Sequence, residues 1–250
     1  MGVSNRENTC PPKAPLRVRR RRAGPRYGRG ATSLSTARGD RGADTGAGSH
    51  YARIRQSILD GQSPPGTVLI PTGLSTQFNV SRTPVREALI RLEQEGLVTR
   101  ATRGYVVRTR TPQEILEICE ARIALESSAA QTAATRRTEL DLARLVHVHE
   151  SAAASTDPAE LQELNQQWHR ALREAGHNAT IIELMDRLDA QLKVYDSGTT
   201  TRPDNLTLIL EEHTRILDAI RRGDASAARQ HVIEHQSRTR DLRLAALARS

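Results

Sequence analysis

One stretch confines the fold of this 250-residue chain more tightly than any other: NVSRTPVREALIRLEQEGLVTRATRGYVVRT, Asn79 to Thr109. Val85, Leu89 and Leu92 recur at helical spacing along one side. Ser81, Arg82, Thr83 and Arg86 crowd the first turn or so of the same helix. Gly96 stands where a helix ends in a left-handed residue. Two β-prone runs, Leu97–Arg100 and Tyr105–Thr109, then flank ATRG, which predicts a β-hairpin. Upstream, Tyr51, Ile54, Ile58 and Leu59 have helical spacing, and DGQSPPG (Asp60–Gly66) stops that helix. Thr67–Ile70 is short and β-prone, Thr72–Phe78 suits a second helix, and Asn79–Val80 a turn. Three helices and a hairpin within residues 49–110 predict a winged helix-turn-helix.

From Thr111–Pro112 onward the pattern is helical to the end. Helices are expected to about Ala134, over 138–154, from DPAE (Asp157–Glu160, read as a capping box) to Glu174, from Asn178 to about Tyr195, over 204–222, and after Gly223–Asp224. Aromatic residues make up only 2% of the chain, with one Trp and one Phe. The core must then come from Leu, Ile, Val and Ala, which favours packed helices over a β-sandwich. The expected fold is mainly α, the winged module being followed over 111–250 by an all-α bundle of six to seven helices.

Charge is distributed unevenly. Lys and Arg outnumber Asp and Glu by 11 to 3 in residues 1–48 and by 9 to 4 in 49–110, and are outnumbered 17 to 22 in 111–250. A basic half joined to an acidic one suggests a nucleic-acid-binding module attached to something else. Residues 1–48, with the run RVRRRR (Arg17–Arg22), lack apolar periodicity and read as a disordered basic tail. Cys10 and Cys119 do not make a disulfide framework, so a reducing compartment is expected. No run of about 18 uncharged apolar residues is present, so no membrane partner is expected and a cytoplasmic location is.

A helix N-terminus offers free N–H groups to phosphate. Ser81 and Thr83 add short hydroxyl donors, and Arg82 and Arg86 can take guanine O6 and N7 in pairs. Arg103 and Gly104 form the expected wing tip, with Arg100 and Arg108 flanking it. The residues VSRTPVREAL.RLE.EGLV resemble the DNA-binding domain of the GntR family of bacterial transcriptional regulators, over about residues 50–110. The resemblance implies that Arg82, Thr83 and Arg86 reach the major groove of an operator and that Gly104 lies at the wing contact.

In the second half, Asn165 and His169 share a helical face, His213 lies on the stripe of Leu206, Ile209, Ile216 and Ile220, and His235 follows Ala228 and Val232. Three imidazoles on three helices are how a bundle builds a zinc- or nickel-type site, although a single histidine on an apolar face is more often a hydrogen-bonded core residue. His147, His149, His177 and His231 are expected at the surface. The patterns EARIALES.AA, LNQQWHRAL, EEHTRILDAIRRGDASAAR and EH look like the FCD effector domain of the FadR-like GntR subgroup, over about residues 112–245. That resemblance implies a divalent metal (Zn, Ni or Mn) on Asn165, His169, His213 and His235, with Asn165 where Asp is usual. It also implies a small carboxylate effector beside the metal and a homodimer on an inverted-repeat operator. Arg122, on the face of Ile118 and Leu125, is the candidate anchor for that carboxylate, the alternative being an internal ion pair with Glu126 one turn along. The expected function is a ligand-responsive, sequence-specific transcriptional regulator, a repressor released by its effector. The rival is a metal-dependent hydrolase on the three histidines, which lacks a carboxylate base if Glu211 and Glu212 point away. A passive DNA-coating protein driven by the tail is a third reading.

Overall fold

The computed structural model describes residues 44–195 and 203–249. The basic tail expected over 1–48 lies outside the described residues up to position 43. From Asp44 the expectation is corrected, because α1 (Asp44–Leu59) reaches back through the last residues assigned to that tail.

α1 carries the buried Ile54 and Ile58, and a short β1 (Val68–Leu69) follows. α2 (Pro71–Phe78) ends on Asn79, whose φ of 54° is one that asparagine tolerates better than most residues. α3 (Arg82–Gln94) buries Val85, Ala88, Leu89 and Leu92, the stripe expected from spacing. Gly96 takes φ +74°, and the chain reverses into β2 (Val98–Ala101) and β3 (Gly104–Val107). The antiparallel sheet has the order β1-β3-β2, with Val68 opposite Val106 and Arg100 opposite Tyr105. Ile54, Ile58, Leu69, Leu89, Leu92, Tyr105 and Val107 close one apolar core beneath this winged module.

Six helices follow among the described residues: α4 (Pro112–Arg136), α5 (Glu139–Ala154), α6 (Pro158–Ala175), α7 (Ala179–Lys193), α8 (Pro203–Arg221) and α9 (Ala225–Leu247). Two starts are reciprocal capping boxes, Thr111 with Glu114 and Thr138 with Asp141. The box expected at DPAE does not form, although Asp157 does cap the helix. Asp157 accepts from Ala159 N, whereas Glu160 accepts from Ser155 Oγ instead of turning back to the Asp157 amide. The inward face of α4 is Ala129, Ala130, Ala133 and Ala134, small enough for neighbouring helices to approach closely. Around it lie Leu145, Trp168, Leu172, Ile216 and Ile220, all fully buried. Each such side chain contributes roughly 1.5–3 kcal/mol by leaving water.

The winged module is joined to the bundle through α7. Ala190 is buried in the winged module's core, and Gln191 Nε2 donates to the Glu95 carbonyl at the end of α3, at 2.7 Å. Arg110 donates to both Gln191 Oε1 and the Gly96 carbonyl, at 2.7 and 3.1 Å. Tyr195 OH donates to the Arg108 carbonyl at 2.5 Å.

Candidate functional site

The first candidate surface is the start of α3. Ser81 is its N-cap, yet its side chain makes no capping hydrogen bond, so its hydroxyl is not spent on its own helix. Ser81, Arg82, Thr83, Arg86 and Arg103 are exposed. Arg82, Arg86, Arg100 and Gly104 line one groove between α3 and the wing, with the exposed Ile90 beside them. Gly104 has φ +111°, and a Cβ there would come within 2.6 Å of the Leu69 carbonyl oxygen. Glycine is therefore demanded at this point by the packing of β3 against the end of β1. Arg108 does not flank the wing tip. It pairs with Glu114 at 3.0 Å, across the junction with α4.

The second candidate lies within the bundle. α6, α8 and α9 bring His169, His213 and His235 together, all buried, with ligand nitrogens within 4.8 Å of one another. His169 Nδ1 faces Glu126 Oε1 at 2.9 Å, and His235 Nδ1 faces Glu212 Oε2 at 2.6 Å. With those nitrogens donating to carboxylates, each Nε2 is left as a lone pair. The two Nε2 atoms nevertheless lie 3.3 Å apart. His213 Nε2 and Asn165 Oδ1 are buried with no hydrogen-bond partner. The three imidazoles thus cluster around an unpartnered His213 nitrogen, with the unpartnered Asn165 oxygen one turn from His169 on α6. That donor set fits a divalent cation that accepts nitrogen and oxygen ligands. Trp168 covers the cluster from one side, stacked on His213 with ring centroids 3.7 Å apart.

Burial favours the neutral, ligating form of His213 and His235. Burial pushes His213 well below the ordinary histidine range, and the neighbouring His235 and His169 push the same way. Burial also lowers His235, against the opposing hydrogen bond from Glu212. Burial alone would raise Glu212, but His235 and Arg238 hold it at about 2. Glu126 is likewise drawn far below its usual range despite complete burial, by His169, Arg173 and Arg122. Glu212 does not point away from the cluster as expected. It orients His235 and accepts two bonds from Arg238, each at 2.6 Å.

Asn165, His169 and His235 open onto a cavity of about 550 Å³, which Arg122 also lines. The Arg122 guanidinium is already engaged, with Asp189 at 2.8 Å and more loosely with Gln236 at 3.4 Å. Its contact with Glu126, one turn along α4, is longer at 4.0 Å. Arg173 shares Asp189 at 2.6 Å. Glu126 had a cue in its spacing one turn from Arg122, but Arg173 and Asp189 do not stand out in the sequence. Of those two, Arg173 alone has a local signal, being one turn beyond His169. Of the four histidines expected at the surface, His147 and His177 are exposed and His231 is half-buried. His149 is half-buried: its Nδ1 is covered, while Nε2 meets the exposed Thr214 Oγ1 at 3.1 Å.

A winged helix-turn-helix fused to an all-helical domain with a charged internal cavity defines a DNA-binding regulator that senses a small molecule. Residues 48–107 match the bacterial regulatory proteins of the gntR family, and residues 117–238 match the FCD domain. The chain belongs to the GntR family of transcriptional regulators. It is 30% identical to the Uxu operon transcriptional regulator of Escherichia coli (strain K12), over 74% of this chain and 81% of that one. It is 29% identical to the HTH-type transcriptional regulator YdhC of Bacillus subtilis (strain 168), over 74% of this chain and 85% of that one. The solved structure of E. coli McbR/YncC shares the fold, with a TM-score of 0.64 at 23% identity over 77% of this chain and 94% of that one. These relatives are regulators, and the hydrolase alternative has no support among them. No helix among the described residues is long and apolar enough to cross a membrane.

Proposed function

We propose that the chain acts as a homodimeric repressor on an inverted-repeat operator and is released by a small carboxylate bound beside a divalent metal. The observation that carries this reading is the cluster of His169, His213 and His235 beside the Arg122 cavity, in which His213 Nε2 is buried and unsatisfied, as is Asn165 Oδ1 one turn from His169. Asn165, His169, His213 and His235 are the residues that would hold the metal, and Glu126 and Glu212 fix two of the imidazoles from behind. When bound, the metal supplies a positive charge toward which an anionic effector is drawn. At the DNA end, Arg82 and Arg86 read base edges, Ser81 and Thr83 take phosphate, and Arg103 and Gly104 set the wing on the backbone. One such helix per protomer makes the operator symmetric. The cavity is also lined by Arg55 and Leu59 of α1, so a ligand in it touches the DNA-binding module.

Zinc uptake by untagged protein, measured by mass spectrometry beside His213→Ala, tests the site. About one equivalent in the wild type and none in the variant is the expected result. No uptake by either protein, and no thermal shift with zinc, nickel or manganese, would leave the histidines as a metal-free pocket. Addition of carboxylates to an operator complex then tests release: the complex is expected to dissociate with one of them.

A further inference from the structure

Asp189, on α7, bridges two guanidiniums with its two oxygens. Oδ1 accepts from Arg122 Nε at 2.8 Å and Oδ2 from Arg173 Nη1 at 2.6 Å. Arg173 is buried and Arg122 largely so, with side-chain exposures of 5% and 12%, while the carboxylate is 33% exposed and lines the cavity. A planar carboxylate shared by guanidinium forks is how proteins receive carboxylate ligands. Here the chain supplies the carboxylate itself. Glu126 lies behind the same two arginines, 4.0 Å from Arg122 and 3.9 Å from Arg173. The pair therefore keeps one internal counter-charge if Asp189 leaves.

The next two residues of α7 belong to the other half of the molecule. Ala190 is buried in the core of the winged module, and Gln191 holds the Glu95 carbonyl at the end of α3. The side chain of Glu95 accepts from Arg55 Nε at 3.1 Å, and Arg55 is itself a cavity residue. A shift of α7 at Asp189 thus arrives within two residues at the recognition helix.

We infer that Asp189 is a built-in occupant of the position meant for the effector's carboxylate. An incoming carboxylate takes Arg122 and Arg173, Asp189 is displaced, and α7 loosens the hold of Gln191 on the end of α3. This inference rests on the cavity being the effector site, and it narrows the effector's chemistry. One carboxylate goes to the arginine pair, and a hydroxyl or second carboxylate reaches the imidazoles, as in a small hydroxy acid or dicarboxylate. Exchanging one carboxylate for another changes little in contact energy. The effector therefore works only through its preference for the displaced arrangement, and DNA weakens its binding by the same factor.

The test uses the full chain, malate as probe, and a duplex recovered by selection from randomised DNA. Asp189→Asn keeps the size, but it removes the charge that competes and leaves one accepting oxygen where two hold the arginines. It is expected to bind malate about tenfold tighter by calorimetry and DNA about tenfold more weakly without ligand, within the usual range of coupling between sites. Gln191→Ala, which leaves the cavity intact, is expected to bind malate as the wild type does while malate no longer weakens DNA binding. Tighter malate binding with unchanged DNA affinity in Asp189→Asn overturns the link through α7. Weaker DNA binding with no malate binding by either protein supports that link and sinks the carboxylate reading of the cavity. No change in either affinity overturns the whole inference, provided circular dichroism shows Asp189→Asn to be folded.

Discussion

Glu126 is a fully buried carboxylate on which much of the site depends. It accepts from His169 Nδ1 at 2.9 Å and from Gln236 Nε2 at 2.5 Å, and it faces Arg122 and Arg173. Removing its charge leaves buried cations short of a counter-ion. Glu126→Gln is expected to destabilise the fold by about 3 kcal/mol, read from the midpoint of urea unfolding. Asn165 poses the opposite case, a neutral oxygen among three neutral imidazoles. Asn165→Asp adds a charge next to the proposed ion, and about tenfold tighter zinc binding is expected in chelator competition, equivalent to about 1.4 kcal/mol. At this scale the sequence was only half legible. His169, His213, His235 and Asn165 could be placed on facing stripes by helical spacing. Asp189 stands 67 residues from Arg122, and Glu126 stands 43 from His169, so no local pattern joins them. Spacing turns Glu212 about 100° from His213 on α8 and so away from the stripe, but α9 lies on that side and brings His235 and Arg238 to meet it.

The elements themselves were far more legible, because their ends are written in short-range chemistry. Thr111–Pro112, Asn178 and Asp224 all cap helices where expected. The exception at Asp157 arose because Ser155 offered Glu160 a nearer partner. The start of α5 provides a pH test. Burial pushes the Asp141 carboxyl up, but the Thr138 amide and hydroxyl and His177 outweigh it and hold the group below its ordinary value of 3.8. The unfolded chain therefore takes up this proton first as the pH drops. The stabilisation is complete well above 3.8 and is lost as the pH falls below that value toward the lower value in the folded chain. Asp141→Asn should remove this share of the acid slope, and Thr138→Ala should cost about 1 kcal/mol at neutral pH, both read by thermal unfolding. On α3, Arg86→Ala is expected to cost about 1–3 kcal/mol against the selected duplex and to relax preference at one base pair. A competition assay with randomised duplexes checks it, and equal losses on every sequence would reduce Arg86 to a phosphate contact.

For the whole molecule, the division of charge matters more than its total. The winged module carries exposed arginines at the start of α3 and on the wing, while the bundle turns Arg122, Arg173 and Arg238 inward onto Asp189, Glu126 and Glu212. Deleting residues 1–43 should leave the ranking of duplexes unchanged and make affinity less steeply dependent on salt, because the basic stretch lost can only contribute phosphate contacts. A titration over two salt concentrations measures this, and loss of the ranking would assign specificity to the tail. The two halves were separable in sequence, but their joint through Ala190 and Gln191 was not. Nothing about an alanine and a glutamine on a helix marks them as belonging to a neighbouring module's core.

The stacking of Trp168 on His213 has a practical corollary. Trp168 is the chain's sole tryptophan, and it is buried against the one imidazole that has both a vacant nitrogen and a strongly suppressed basicity. Light absorbed selectively by indole is therefore emitted from a single address in the molecule, with no label attached. Whatever reaches that imidazole alters the electronic surroundings of one known fluorophore, so the protein carries its own optical gauge of the state of its centre.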